Sequence, residues 1–200
     1  GQRRFTELDL PVGEEKLALY NLGKSLIQKA GYEDVGMDHF AKKEDALFIA
    51  NANGTLHRNF MGYADQYTPL MIGLGVSSIS DAWTAFGQNV KTVEEYHQCI
   101  NEGRLPVFKG HLLDEEDVII REYILDMMCR GVVNLIPNNE LNARILERLR
   151  SLENDGLIIV NGLNISITVV GKSFLRNVCM AFDERLQRTK ERENLFSQAI

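Results

Sequence analysis

Cysteine is scarce and scattered in this sequence: Cys99, Cys129 and Cys179 are three in 200 residues, thirty and fifty positions apart. That spacing excludes a disulfide framework and offers no CxxC or CxxxCxxC run, so no metal ligands and three ordinary reduced thiols are expected. No apolar stretch approaches the roughly 18 to 20 residues that cross a bilayer. The first ten residues also lack the basic-then-apolar layout of a secretory signal. A soluble, cytoplasmic protein with no membrane partner is the expectation. Excess positive charge is missing as well. Lys and Arg number 22 against 28 Asp and Glu, a net charge of -6, and the signs are interspersed, which argues against a general nucleic-acid or anionic-membrane surface. There is no internal repeat and no low-complexity tract. An initiator methionine is absent, and the charged segment Gln2–Asp9 reads as a loop, so the chain is expected to be cut from something longer.

What is present is enough for a folded core: 44% hydrophobic and 25% charged residues, the balance of one or two globular domains. Glu14–Ala30 sets Ala18, Leu22, Leu26 and Ala30 on one helical face, with Leu19 and Ile27 beside them, and stops at Gly31. Tyr32–Val35 is a predicted strand and Gly36-Met37-Asp38-His39 a loop at its end, the rhythm of an α/β layer. A short helix over Glu44–Asn51 follows, then strands over Leu56–Phe60 and Leu70–Val76. Two or three strands cannot close a sheet or barrel by themselves. Thr92–Asn101 is a predicted helix, and Gly103-Arg104-Leu105-Pro106 with Gly110 the most linker-like passage.

Beyond that passage the pattern turns mainly helical. Asp114 caps a helix carrying Val118, Ile119, Tyr123, Ile124, Met127 and Met128. Glu140–Glu153 carries Leu141, Ile145, Leu149 and Leu152. Leu157–Val160 and Ile165–Val169 flank Asn161-Gly162, a hairpin signal. Gly171-Lys172-Ser173 opens a last helix burying Phe174, Leu175, Val178, Cys179, Phe182 and Leu186. Helices, a hairpin and a closing helix make a winged-helix-like module. The fold class is thus α/β plus mainly α, with residues 1–102 as the first domain, 103–110 as linker and 111–200 as the second domain.

A winged helix suggests DNA, because one helix of that fold enters the major groove. Residues 111–200, however, hold eleven Lys and Arg against fourteen Asp and Glu, a net charge of -3. Arg144, Arg148 and Arg150 are interleaved with Glu140, Glu147 and Glu153, so no nucleic-acid partner is expected. Asp38-His39 and His57-Arg58 pair imidazole with carboxylate or guanidinium, which suits metal or acid-base work. The four histidines show no HxH or HxxxH spacing, and loop Asp/His pairs often only satisfy turns. Arg58 is a possible bidentate carboxylate partner, and equally a surface arginine. Gly73-Leu74-Gly75-Val76-Ser77-Ser78-Ile79 is small enough for backbone to approach a ligand closely. It lacks the third glycine of a dinucleotide fingerprint and the Gly-Lys-Ser/Thr of a P-loop. A tightly packed strand end reads equally well.

Four stretches resemble the oxygen-independent coproporphyrinogen III dehydrogenases of the radical-SAM class: Gly36-Met37-Asp38-His39-Phe40-Ala41, Leu56-His57-Arg58-Asn59-Phe60, Gly73 through Ser80, and Gly171-Lys172 with Arg176 through Asp183. Their order and spacing hold across essentially the whole chain. Met61 and Ala64-Asp65 depart from it, since that family more usually has Gln and a Thr pair there.

The resemblance implies the C-terminal portion of an oxidoreductase of haem biosynthesis. Such an enzyme converts two propionates of coproporphyrinogen III to the vinyls of protoporphyrinogen IX. It uses a 4Fe-4S cluster to reduce S-adenosylmethionine to a radical that abstracts a propionate hydrogen. Close-spaced thiolates hold such a cluster, and that family's CxxxCxxC lies in the N-terminal half. This chain by itself is therefore expected to be inactive, with no catalytic residue of its own. The resemblance further implies the end of an incomplete (β/α) barrel followed by the helical domain. It puts S-adenosylmethionine contacts at Ile79, Ser78 and Gly75, and Asp38, His39, His57 and Arg58 near the same mouth. That Arg58 meets a substrate propionate there is an expectation from its guanidinium chemistry and not from the resemblance. The whole protein is expected to be a monomer and this part alone to self-associate. Two alternatives stay open: a haem-binding, non-catalytic relative, and an independent winged-helix module.

Overall fold

The computed structural model describes Thr6 and residues 9–188. Most of the predicted loop Gln2–Asp9, and the end of the second domain to residue 200, lie outside the described residues.

Helix α1 (Gly13–Lys29) forms where its periodicity places it, but buries none of its residues. Leu22 and Leu26 are each 57% exposed. After Gly31, β1 (Glu33–Gly36) and β2 (His39–Ala41) pair antiparallel, so the predicted loop over Gly36–His39 is the turn of a hairpin. The side chain of Asp45 accepts from the Leu47 N–H and starts α2 (Ala46–Ala52). A second hairpin joins β3 (His57–Asn59) to β4 (Gly62–Ala64).

The predicted strand Leu70–Val76 does not form; only Met71 makes an isolated bridge, to Asp81. The carbonyls of Gly73 and Gly75 accept from the Asn89 side chain instead of a neighbouring strand. The strands lie later: β5 (Ile79–Asp81) and β6 (Ala85–Asn89). Thr92 caps α3 (Val93–Asn101). The passage read as a linker runs into a strand. Val107–Leu112 is strand β7, which extends the sheet to the order β5-β6-β7. Its glycine and charged residues lie on a sheet edge, where little hydrophobic pattern announces them.

Helix α4 (Glu115–Arg130) begins in a capping box, Asp114 accepting from the Asp117 N–H at 2.8 Å while its own N–H donates to Asp117 at 3.2 Å. It ends at Gly131 in the left-handed conformation. Strand β8 (Val132–Asn134), which sequence reading missed, leads to α5 (Leu141–Asn154). Strands β9 (Ile158–Asn161) and β10 (Asn164–Ile167) form the hairpin expected at Asn161-Gly162, and β10 also takes β8, giving the order β8-β10-β9. The last predicted helix is broken: a 3-10 turn over Gly171–Phe174, then α6 (Leu175–Phe182) and α7 (Glu184–Arg188). Asp183 takes extended backbone and its carboxylate receives the Leu186 N–H, so one helix stops and the next is capped.

Every strand pairing among the described residues is antiparallel. Mixed α and β elements followed by a mainly helical half agree with the expected class. The larger core joins α4, β8, α5, β9, β10 and α6 around Met127, Ile145, Leu149 and Phe182, and a smaller one gathers Val35, Ala50, Leu56 and Tyr63. Cys129 belongs to the smaller core while α4 otherwise builds the larger, so this helix holds the halves together. Among the described residues, no helix is long and apolar enough to cross a membrane.

Candidate functional site

Between β3, β6 and α4 lies a cavity of about 430 Å³. Its apolar wall includes Phe60, Phe86, Ile120, Ile124 and Met128. Phe60 and Phe86 meet edge to face with centroids 5.0 Å apart. On α4, Asp117, Arg121, Ile124 and Met128 recur at three- and four-residue steps, so one helical stripe supplies both the greasy floor and two of its charges.

Three arginines enter this apolar space, and their partners differ. Arg121 grips Asp81 with two bonds of 2.9 and 2.6 Å, donates to the Trp83 carbonyl at 2.8 Å and lies 4.3 Å from the Trp83 ring centroid. Arg185 grips Asp117 with two bonds of 2.6 Å, and His111 Nε2 lies 3.4 Å from the same carboxylate. The Arg185 guanidinium, with help from the Asp114 N–H, holds the Asp117 carboxyl down at about 2. Among the described residues, Arg58 has no such carboxylate. Its guanidinium stacks 4.6 Å from the Tyr63 centroid, and its Nη1 is buried with no hydrogen-bond partner among the described residues. A buried donor left unpaired costs about 1–3 kcal/mol. A ligand carboxylate would relieve that cost.

The other expected residues separate. His39 meets the Tyr63 ring edge to face at 5.0 Å, so Tyr63 contacts both His39 and Arg58. Asp38 is exposed in the β1–β2 turn, 3.7 Å from His39 Nδ1. His57 projects from β3 away from Arg58 and packs on Tyr67 at 5.0 Å, where burial, then Arg121, lowers its pKa. Neither Asp38 nor His57 lines the cavity. Gly75, Ser78 and Ile79 lie on a bent segment that runs into β5. Two residues past Ile79, Asp81 forms part of the cavity wall.

The thiols do not suit a cluster. All three are buried and unpaired, and burial pushes Cys129 up to about 11 and Cys179 up to about 12, keeping both neutral. Among the described residues, no group of three or more His, Cys, Asp and Glu could hold a metal ion. Sequence reading missed Tyr63, Asn89, Arg121 and Arg185. The Asp117–Arg121 spacing on a helix was a usable signal; the partners of the others are set only by the fold.

No family model matches the chain. Curated relatives named oxygen-independent coproporphyrinogen III oxidase do match it. Those from Escherichia coli and Synechocystis are 34% and 35% identical over the whole chain, which covers 45% of each. One from Thermostichus vulcanus is 34% identical, with 63% of its length covered. The solved coproporphyrinogen III oxidase of Escherichia coli, described as a radical SAM enzyme, superposes on 92% of this chain with a TM-score of 0.83 and 34% identity; 44% of that structure is covered. The chain therefore spans about half the length, or somewhat more, of the curated relatives it matches. By sequence and by fold, the chain is similar to part of the oxygen-independent coproporphyrinogen III oxidases.

Proposed function

We propose that this chain is the C-terminal portion of a cytoplasmic oxygen-independent coproporphyrinogen III oxidase, and that the cavity beside Arg58 takes part of the tetrapyrrole. The observation that carries this reading is the Arg58 Nη1, unpaired among the described residues, in a cavity whose other two arginines are each held by a carboxylate. An apolar macrocycle bearing propionates needs such a surface: grease for the ring and a desolvated cation for the acid. Arg121 and Arg185 are already neutralised by Asp81 and Asp117, which leaves Arg58 to orient a propionate. The whole enzyme would convert two propionates to vinyls by oxidative decarboxylation.

S-adenosylmethionine would rest against the backbone of Gly75, Ser78 and Ile79 and, when bound beside a cluster, supplies the hydrogen-abstracting power. The thiols here do not fit that cluster, so its ligands belong to other parts of the enzyme, and this piece alone is inactive. Residues 1–102 would form the end of the radical-SAM barrel, 103–110 the connection and 111–200 a winged-helix-like cover. The structural likeness supports the barrel assignment, the antiparallel pairing here does not, and the order α4, β8, α5, β9, β10 supports the winged helix.

The test is Arg58→Ala and Arg58→Lys in the full-length enzyme. Loss of one buried charge-assisted contact should weaken substrate binding by about tenfold to a hundredfold in the alanine variant, with partial recovery in the lysine variant. Unchanged substrate binding and turnover in both would exclude the role. Absence of protoporphyrinogen formation by a reconstituted wild-type enzyme would instead favour a haem-binding relative.

A further inference from the structure

We propose that Asn89 is a positioning residue that shapes the Gly73–Ile79 segment to receive S-adenosylmethionine; this rests on the reading that Gly75, Ser78 and Ile79 meet that ligand. Asn89 ends β6 and is 5% exposed. Its amide group donates to the carbonyls of Gly73 at 3.1 Å and Gly75 at 2.9 Å and to Ser78 Oγ at 3.2 Å. Its backbone N–H donates to the Ser78 carbonyl at 2.9 Å. One side chain thus ties both ends of the segment together.

The segment needs that tie. Gly75 and Ser77 both take positive φ, +91° and +59°, which regular strand pairing does not provide. A Cβ on Gly73 would lie 2.8 Å from the Ile79 carbonyl oxygen, so the chain doubles back directly onto the residue it presents. Ser78 Oγ closes the turn by donating to the Gly75 carbonyl at 2.6 Å. From outside, the Gly75 N–H donates to Tyr96 Oη at 3.1 Å and the Ser77 N–H to the Val90 carbonyl at 2.8 Å. Three acceptors converge on Asn89, so an amide suits the position and a carboxylate would oppose it. Backbone carbonyls consumed in this way cannot pair as a strand. The loop's outer side, with Leu74 83% exposed, stays open.

The experiment uses full-length holoenzyme with Asn89→Asp, Tyr96→Phe and Ile79→Trp, the last blocking the contact itself. The readouts are the dissociation constant for S-adenosylmethionine, the shift it produces in the cluster's electron paramagnetic resonance spectrum, and substrate affinity. Asn89→Asp should weaken S-adenosylmethionine by at least about tenfold, with the ligand-free cluster spectrum and substrate affinity unchanged. Tyr96→Phe should move the constant in the same direction by less. Wild-type affinity in Asn89→Asp alongside a weakened Ile79→Trp overturns the role of Asn89 alone. Wild-type affinity in Ile79→Trp overturns the underlying contact, and the proposal with it. Should Asn89→Asp fail to fold, Tyr96→Phe decides, and an unchanged constant there overturns the proposal.

Discussion

The Tyr63 hydroxyl donates a 2.8 Å hydrogen bond to the carbonyl of Met128, 65 residues along the chain. That bond joins the β3–β4 hairpin to α4, and the face of the same ring carries Arg58. Burial raises the Tyr63 pKa far above the ordinary value, so the phenol stays a donor through the physiological range. Tyr63→Phe strips the carbonyl of this partner and should cost about 1–3 kcal/mol of stability. Urea unfolding measures it, and a change within experimental error would show that the bond contributes nothing.

Acid should weaken the Asp117–Arg185 pair. Asp117 sits at about 2 in the fold against an ordinary 3.8. The folded state thus favours the ionised form, and its contribution is complete above the unfolded value and fades as pH falls from about 4 toward 2. Arg185 is half exposed, and solvent screening holds the contribution to about 1–2 kcal/mol. Unfolding curves of wild type and Asp117→Asn should therefore converge between pH 5 and pH 2. A constant gap would rule the pair out as the source.

Thiol chemistry gives an independent check of burial. Cys129 and Cys179, held at about 11 and 12 by desolvation, should resist iodoacetamide at pH 8 in the native protein and react readily in denaturant. Mass spectrometry after timed alkylation reads this directly. Rapid native labelling at Cys179 would contradict its place in the larger core.

Gly171 is confined by its neighbours. A Cβ there would lie 1.9 Å from the Leu157 carbonyl oxygen, which is backbone and cannot swing away. Gly171→Ala should destabilise by about 1–3 kcal/mol or more, shifting the midpoint of thermal unfolding downward. An alanine variant as stable as wild type would mean that α6 does not enter so close to β9.

The bare face of α1 predicts behaviour of the chain in isolation. Leu19, Leu22 and Leu26 are each more than half exposed on one helix, and such a stripe favours contact with a second copy. Light scattering should find dimers or larger species, and Leu22→Glu with Leu26→Glu should reduce them. A monomer at high concentration in the unaltered chain would count against this.

Local chemistry made much of the second half readable. The Asp114 cap, the 3.6-residue stripes of α4 and α5 and the Asn161-Gly162 turn each depend on residues within a few positions of one another, so their signals survive in a linear string. The first half was read less well. Leu70–Val76 has a strand's composition, yet Asn89 takes the carbonyls of Gly73 and Gly75, and nothing near them announces a partner sixteen and fourteen residues away. Strand β7 was hidden for the same reason, because its pairing with β6 and not its own pattern makes it a strand.

The site divides in the same way. Arg58 was visible as a guanidinium in a suggestive stretch, and small residues before Ile79 suggested a close backbone approach. Which arginine stays unpaired was settled only when folding brought Asp81 to Arg121, forty residues apart, and Asp117 to Arg185, sixty-eight apart. Residue identity supplied one candidate cation, Arg58; desolvation and long-range pairing added Arg121 and Arg185 beside it and left one buried nitrogen of Arg58 without a partner among the described residues, because electrostatics acts through space and not along the chain.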